Sequence, residues 1–409
     1  MLELVHTNNK NTKMSTSVDT RLNIEQSSSA IAAPTNKKAV MVGTHRVCAP
    51  EETLARIQPH LVHMGITRVA DLTHLDDIGL PVFQAVRPNS RNLSVSQGKG
   101  ITRTLARVSA LMEAIELWHA EEPQLPSVRA EIGEMSEQLP YSIYDLNLAH
   151  HSLLHDALPL EWVPASILGS CEKTYVPIDY VRLNGCLQNT WLLPTFQHTS
   201  NGLASGNIHE EAILHGLYEV IERDTIALER SGALSSLPID PATVNGQASG
   251  PLLERLHKAG AMVKIRGMVG PTGISCFEAR LTSQSYPMMI SGHGCHLDRD
   301  VALSRALTEA AQVRLSVISG ARDDIQHGAY IEIQQMRAVI KATGEGPLAN
   351  FNTMPSAGSL DLTADLREVT RRIRAAIPCP PLFVDLTREA FNIPVVYVVV
   401  PQMHMVEGH

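Results

Sequence analysis

Glu113 and Glu116 stand three residues apart, and Glu219 and Glu222 repeat that spacing with Arg223 directly after them. Carboxylates are hard oxygen donors. Four of them together would suit Mg2+, which takes few protein ligands and completes its shell with phosphate oxygens and water. With Arg223 beside them, the helix could be a solvated surface or one wall of a metal–nucleotide site. Each pair alone has a plainer reading, because Glu at i and i+3 on an amphipathic helix ordinarily faces water. Two features oppose that reading here. Like charges at this spacing repel, and neither stripe contains a Lys.

Three helices must position these groups. They read "LARVSALMEAIELWHA", "EEAILHGLYEVIERD" and "VALSRALTEAAQVRL", and each follows a glycine-containing segment: "SQGKGIT", "GLASGN" and "SGHGCHLD". The step from Gly98 to Glu113 is 15, from Gly206 to Glu219 is 13, and from Gly294 to Glu309 is 15. At about 100° per residue, positions i−4, i and i+3 share one stripe. The stripes are Ser109, Glu113 and Glu116; His215, Glu219 and Glu222; and Arg305, Glu309 and Gln312. The opposite faces are apolar, with Val108, Leu111 and Ile115 on one helix and Leu214, Leu217 and Ile221 on another. Small residues beside the stripes (Ala106, Ala110, Ala212, Gly216) let something pack close. Arg305 and Glu309 either join the shared site or form a plain i, i+4 ion pair.

The glycine segments are expected to be turns. "GKG" at residues 98–100 lacks the spacing of a phosphate loop. Placed before a helix, its N–H groups and Lys99 could still meet an anion. Asn207 either caps the second helix or hydrogen-bonds a ligand. Cys295 lies near His293 and His296. A buried inert thiol and strand histidines that pack are the expected roles, against a nucleophile or metal ligands.

Composition narrows the class. The 409 residues are 44% hydrophobic and 19% charged, with a net charge of −8. That is globular composition, and it carries no basic footprint for nucleic acid. The six cysteines form no CxxC pair, so a structural zinc site is not expected. Residues 1–20 are polar, without the apolar core of a signal peptide. No apolar run approaches the roughly 18 residues of a membrane span. The expectation is a soluble, reduced, cytoplasmic protein.

Residues 1–37 read as a disordered head, and one ordered domain is expected over 38–409. Ala39–Val42 is expected as a short strand, and Pro50, Glu51 and Glu52 mark a helix start. Residues 122–175 read as irregular connections around short strands, and 244–250 as a loop. "VKIRGMV", "ISCFEARL", "YPMMISGHGCHL" and "IPVVYVVVP" read as strands. Without a strict βαβ rhythm, the expected class is α+β, helices on largely antiparallel sheets.

Together, "SVSQGKGITRTLARVSALMEAIELWHAEE", "TSNGLASGNIHEEAILHGLYEVIERD" and "GCHLDRDVALSRALTEAAQVRLSVISGARDDI" resemble the YcaO family of ATP-dependent peptide-modifying enzymes. The resemblance runs over roughly residues 40–400. "GTHRVCAPEETLARI", "RVADLTHLDDIGLPVFQAVRPNSRNLSVSQGKG" and "SGARDDI" are similar to members that work with a TfuA-type partner. The resemblance implies an ATP and Mg2+ site without a phosphate loop. It assigns metal-facing carboxylates to Glu113, Glu116, Glu219 and Glu222, and nucleotide contacts to Arg46, Thr53, Ser109, Asn207, Glu211 and Arg223. Arg223 would neutralise developing charge. The sequence departs from the family pattern at Leu117, where many relatives carry Arg, and at the terminal "VVVPQMHMVEGH", which lacks a proline-rich tail. Leu117 cannot make the contact of that Arg, and the second departure moves the expectation from azoline toward thioamide formation. The implied partners are a precursor peptide or protein, a TfuA-type protein, a separate leader-binding protein and a second copy of the chain. The rival readings are an azoline-forming cyclodehydratase, a non-catalytic ATP-binding scaffold and a carboxylate–metal hydrolase.

Overall fold

The structure, a computed structural model, describes residues 36–184, 194–321 and 347–405. Residues 1–35 of the head, Cys186 and His409 lie outside them, as does the end of "SGARDDI". Contacts set off residues 35–409 as one compact unit. Its first residues are tied down: Lys37 bridges Asp361, and the Leu362 N–H donates to the Asn36 carbonyl.

Along the chain, helix α1 (Pro50–Ile57) precedes strands β1 (Arg68–Asp71), β2 (Val82–Val86) and β3 (Val95–Lys99), then helix α2 (Arg103–Glu121). Strand β4 (Val128–Glu131), the short helix α3 (Ile132–Met135), β5 (Pro159–Ile167), β6 (Lys173–Pro177) and the short helix α4 (Ile178–Val181) follow. Next come β7 (Leu203–Ser205), α5 (His209–Arg230), β8 (Leu237–Ile239), α6 (Ser249–Lys258), β9 (Ala261–Val269), β10 (Ser275–Ser283) and β11 (Ile290–His296). The chain continues through α7 (Arg299–Ser319), α8 (Leu362–Ala376), β12 (Leu382–Asp385) and β13 (Val395–Val399). The strands form three sheets: β1-β2-β3, then β11-β10-β9-β8, then β4-β5-β12-β13-β7 with β6 on β5. Every pairing between these strands is antiparallel. The class is α+β, as expected.

Two local expectations are corrected. Ala39–Val42 is not a strand: Val40 makes one isolated bridge to Arg46, with Met41 and Val42 exposed and Gly43 at positive φ. Residues 122–175 are more regular than expected. They hold the nine-residue strand β5, whose buried Trp162, Val163, Ala165 and Ile167 supply core. The loop at 244–250 ends in the first turn of α6.

Strand β13 explains its own unbroken β-branched sequence. Val395, Tyr397 and Val399 belong to a core shared with Leu111 and Ile115 of α2. Val396 and Val398 face a second core with Leu217 and Ile221 of α5. A strand buried on both faces needs apolar residues at every position. The third core lies between α7 and the β8–β11 sheet, around Phe277, Ala279, Ala306 and Ala310.

The glycines expected in turns do a different job. Gly98 lies within β3 and Gly294 within β11. A Cβ at Gly98 would sit 1.9 Å from the Ala110 nitrogen and 2.4 Å from the Ala106 oxygen. At Gly294 it would sit 2.1 Å from the Ala302 oxygen, and at Gly292 2.2 Å from the Ala310 nitrogen. Strand glycines and helix alanines therefore let α2 and α7 lie backbone-to-backbone on their sheets. Gly216 does the same for α5, where a Cβ would meet the Gly202 oxygen at 2.8 Å. Gly98→Ala is expected to lower stability by about 3 kcal/mol, the upper end of overpacking costs, because backbone atoms must move. Thermal unfolding of the full chain measures it; a loss below about 1 kcal/mol would show that the contact is soft.

Candidate active site

Close packing of the three helices points their polar stripes at one another. Between them lies a cleft of about 440 Å³. It is lined by Glu113, Glu116, Glu219, Glu222, Arg223, Arg305 and Glu309, and also by Arg46, Thr53, Lys99, Ser109, Asn207 and Glu211. All the site residues read from the sequence thus share one space. Leu117 lines it as well.

The carboxylates differ in their surroundings. Glu116 is buried, and one of its oxygens accepts from the Ser205 N–H at 2.8 Å and the Ser205 hydroxyl at 2.6 Å. Burial, with Glu113 and Glu219 nearby, still pushes its carboxyl up to about 8 against the relief from Ser205. Burial raises Glu219 to about 7, with Glu222 adding repulsion while Arg223 and Arg305 oppose it. Glu222 is raised by burial and by Glu309. Glu309 goes the other way. Burial would raise it, but Lys99 and Arg223 outweigh that and hold it at about 2. It pairs with Lys99 and accepts from the His293 N–H at 3.1 Å. Lys99 is therefore engaged by a carboxylate, and Glu309 is not in a plain helical pair with Arg305. Arg305 instead reaches His215 Nε2 at 3.4 Å. Burial and the nearby Arg305, Arg46 and Lys99 hold His215 neutral, so Nε2 accepts.

The opposite wall is preformed. Asn207 is not the N-cap of α5; Ile208 holds that position without a side-chain cap. The Asn207 side-chain oxygen accepts from Thr53 at 2.8 Å and from Arg56 at 2.9 Å. Its N–H and amide donate to Glu211 at 3.1 and 2.9 Å, and Glu211 pairs with Arg46 at 3.3 Å. Arg56 and Ser205 escaped the sequence reading. Arg56 is three residues past Thr53 on α1, a helical spacing that would have found it. Nothing local marks Ser205, which the β7–β13 pairing brings to Glu116.

Cys295 is fully buried, and burial and Cys276 push its thiol well above the ordinary range. His296 packs its ring against His45 and Tyr218. Both take the inert roles expected of them.

Six carboxylates against four cationic side chains line the cleft. That donor set of hard oxygens fits Mg2+. Among the described residues, no three such side chains converge on one ion position. Were Glu116 and Glu219 to hold the dication, it would displace protons from carboxyls at about 8 and 7. Binding of Mg2+ with AMPPCP at pH 7 is therefore expected to release about one proton. Calorimetry in two buffers of different ionisation enthalpy reads this directly; no release would remove Glu116 and Glu219 from the metal site. The folded state holds these protons above the ordinary carboxylate value of 4.5, so the ligand-free protein loses stability as pH rises from 4.5 through about 8.

A mixed α+β unit with a carboxylate-rich cleft between three helices defines the class, and the comparisons define the family. Residues 97–404 match the family described as "YcaO cyclodehydratase, ATP-ad Mg2+-binding". The chain belongs to the YcaO family, whose members bind ATP and Mg2+. A Rhizobium leguminosarum bv. trifolii protein, described as uncharacterised and in the tfuA 3' region, is 35% identical over 322 residues. That match covers 75% of this chain and 76% of the relative. The YcaO structure from Methanopyrus kandleri bound with AMPPCP and Mg2+ superposes with a TM-score of 0.72 at 24% identity, over 90% of this chain and 94% of that one. A heterocyclase in complex with substrate and cofactor gives a TM-score of 0.73 at 22% identity over 91% of this chain. The present chain spans about half of that protein, 54% of its length. Both structures share the fold. No described helix is long and apolar enough to cross a membrane.

Proposed function

We propose that the chain activates a peptide backbone amide by ATP-dependent phosphorylation of its carbonyl oxygen, forming a thioamide in a ribosomally made peptide or protein. The observation that carries this reading is the meeting of the Glu113–Glu116, Glu219–Glu222–Arg223 and Arg305–Glu309 stripes in one cleft. The tfuA-region relative supports a TfuA-type partner. Sulfide adds to the amide carbon, the former carbonyl oxygen takes the γ-phosphoryl group of ATP, and that oxygen leaves as phosphate with ADP released. Glu113, Glu116, Glu219 and Glu222 would hold Mg2+, which neutralises phosphate charge when bound. Arg223 faces the transferring phosphoryl group, and Glu309, kept ionised, orients Arg223 and Lys99. Arg305 adds a second guanidinium. Arg46, Thr53, Ser109, Asn207 and Glu211 shape the nucleotide end, the Asn207 network fixing its wall before any ligand arrives.

The family description favours a second reading, azoline formation with a Cys, Ser or Thr side chain as nucleophile. Product mass separates the two. Exchange of O for S adds about 16 Da, and cyclodehydration removes about 18 Da. A gain is expected when peptide, ATP, sulfide and TfuA-type partner are combined. A loss without sulfide would establish the cyclodehydratase instead, and no ATP turnover above Glu219→Ala would leave an ATP-binding scaffold. One catalytic domain over 38–409, a cytoplasmic setting, a leader-binding protein and a homodimer belong to the same reading, with no role for nucleic acid or membrane.

A further inference from the structure

A second cavity, of about 310 Å³, lies past the Glu222–Arg223 end of the cleft. Its walls continue the site. Helix α5 carries Glu219, Glu222 and Arg223 in the cleft, then Ile226, Glu229 and Arg230 in the second cavity. From Glu222 to Glu229 is about 10 Å along the helix. The facing wall is the β8–β11 sheet. Cross-strand partners Glu278–His293 and Arg280–Ser291 lie on the face turned away from α7, whose own contact runs through Gly292 and Gly294. His293 joins the two spaces: it lines the second cavity while its N–H donates to Glu309 in the cleft.

Three features identify an occupant. First, β11 is an edge strand, and no described strand pairs with its outer side. The bond from His293 to Glu309 shows which residues turn their backbone outward, so Ser291, two residues earlier, presents its N–H and carbonyl on the same side. Second, the charges of the lining answer one another, the exposed Arg230 apart. Arg266 meets Glu229 at 2.9 Å and Glu278 at 3.5 Å, and Glu278 meets Arg280 at 2.8 Å. Such a wall suits a neutral backbone better than a free ion. Third, Met268 and Met289 add adaptable apolar surface, and Met289 is 58% exposed at the mouth.

We propose that this cavity is the acceptor-peptide subsite, where an extended peptide pairs with the outer edge of β11 at Ser291 and presents a carbonyl to the Glu222–Glu309 end of the cleft. The proposal rests on the amide-activation reading and names where its substrate lies. Strand addition provides main-chain hydrogen bonds for affinity and leaves side chains to the pocket. Glu309 takes the next outward N–H of β11, so pairing stops where the chemistry begins.

The test uses the full chain loaded with Mg2+ and AMPPCP and a phage-displayed library of random dodecapeptides. Selected peptides are synthesised, and their affinities are measured by fluorescence anisotropy. Met289→Trp, which fills the mouth, is expected to weaken them at least tenfold while AMPPCP affinity stays within twofold. N-methylation of one backbone amide in the peptide is expected to weaken binding to the wild type similarly, a readout that needs no protein variant. Failure to enrich any peptide, or equal affinity for wild type and Met289→Trp, overturns the subsite. Modification that proceeds unchanged in Met289→Trp but is lost in Glu219→Ala overturns the subsite alone. Peptides that bind here yet are never phosphorylated or thiolated leave the subsite standing and overturn the reaction.

Discussion

Glu219→Gln is expected to lower ATP-dependent product formation about a thousandfold, or about 4 kcal/mol of transition-state stabilisation, with the fold intact. Glu219 sits where the stripes meet: Arg223, Glu222, Arg305 and Glu309 all act on its carboxyl. The isosteric amide keeps the volume and removes one oxygen donor for a cation. It leaves no uncompensated charge, because burial already raises this carboxyl to about 7, so near neutrality it is about half protonated. The ligand-free variant should therefore match the wild type near pH 4, below both the unfolded and the folded value of this carboxyl, and be more stable at pH 8.5, the wild type having lost stability as pH rose from 4.5 through about 7. Added Mg2+ and AMPPCP should stabilise the wild type against heat and the variant far less. Turnover within tenfold of wild type, with normal Mg2+ dependence, would take Glu219 out of the metal site.

The contrast between Glu219 and its neighbours shows what a one-dimensional pattern can convey. Helical period places His215, Glu219 and Glu222 on one stripe, and the structure finds them on one side of α5, lining the cleft. That inference needs only local geometry. The partners that set each carboxyl apart come from far along the chain. Ser205 reaches Glu116 through a three-residue strand, and Lys99 reaches Glu309 across the gap between β3 and α7. A glycine before a helix reads as a turn because turn and strand glycines look alike in isolation. The distinguishing signal was present in paired form: Gly292 and Gly294 at strand spacing, Ala302, Ala306 and Ala310 at helical spacing. Only their contact shows that the small residues serve strand–helix approach, which then determines how far the stripes stand from one another. The edge of β11 was legible as a strand, but its being an edge depends on sheet order, which no local pattern carries.

Arg223→Ala should produce a comparable loss by a different route, and its pH behaviour tells the two apart. Arg223 is flanked by Glu219, Glu222 and Glu309, and although burial opposes it, these carboxylates raise the guanidinium above its ordinary range. It is charged at every accessible pH. In the proposed reaction it meets charge that develops on the transferring phosphoryl group, a role in which a guanidinium contributes about 10³-fold or more. Without it, kcat should fall by about that factor, while AMPPCP affinity falls less because the Asn207–Glu211 wall is untouched. Loss of the cation also removes a positive charge that holds Glu219 and Glu222 down. Their carboxyls should rise further, so the pH at which Mg2+ with AMPPCP reaches half-maximal affinity should move upward. Glu219→Gln should flatten that profile instead, having deleted one of the titrating groups. Arg223→Lys discriminates further. It restores charge, and so the pH midpoint, but not the planar two-point contact with phosphate, so kcat should recover only in part. A lysine variant with full activity would make Arg223 a charge balance for the carboxylates rather than a phosphate contact.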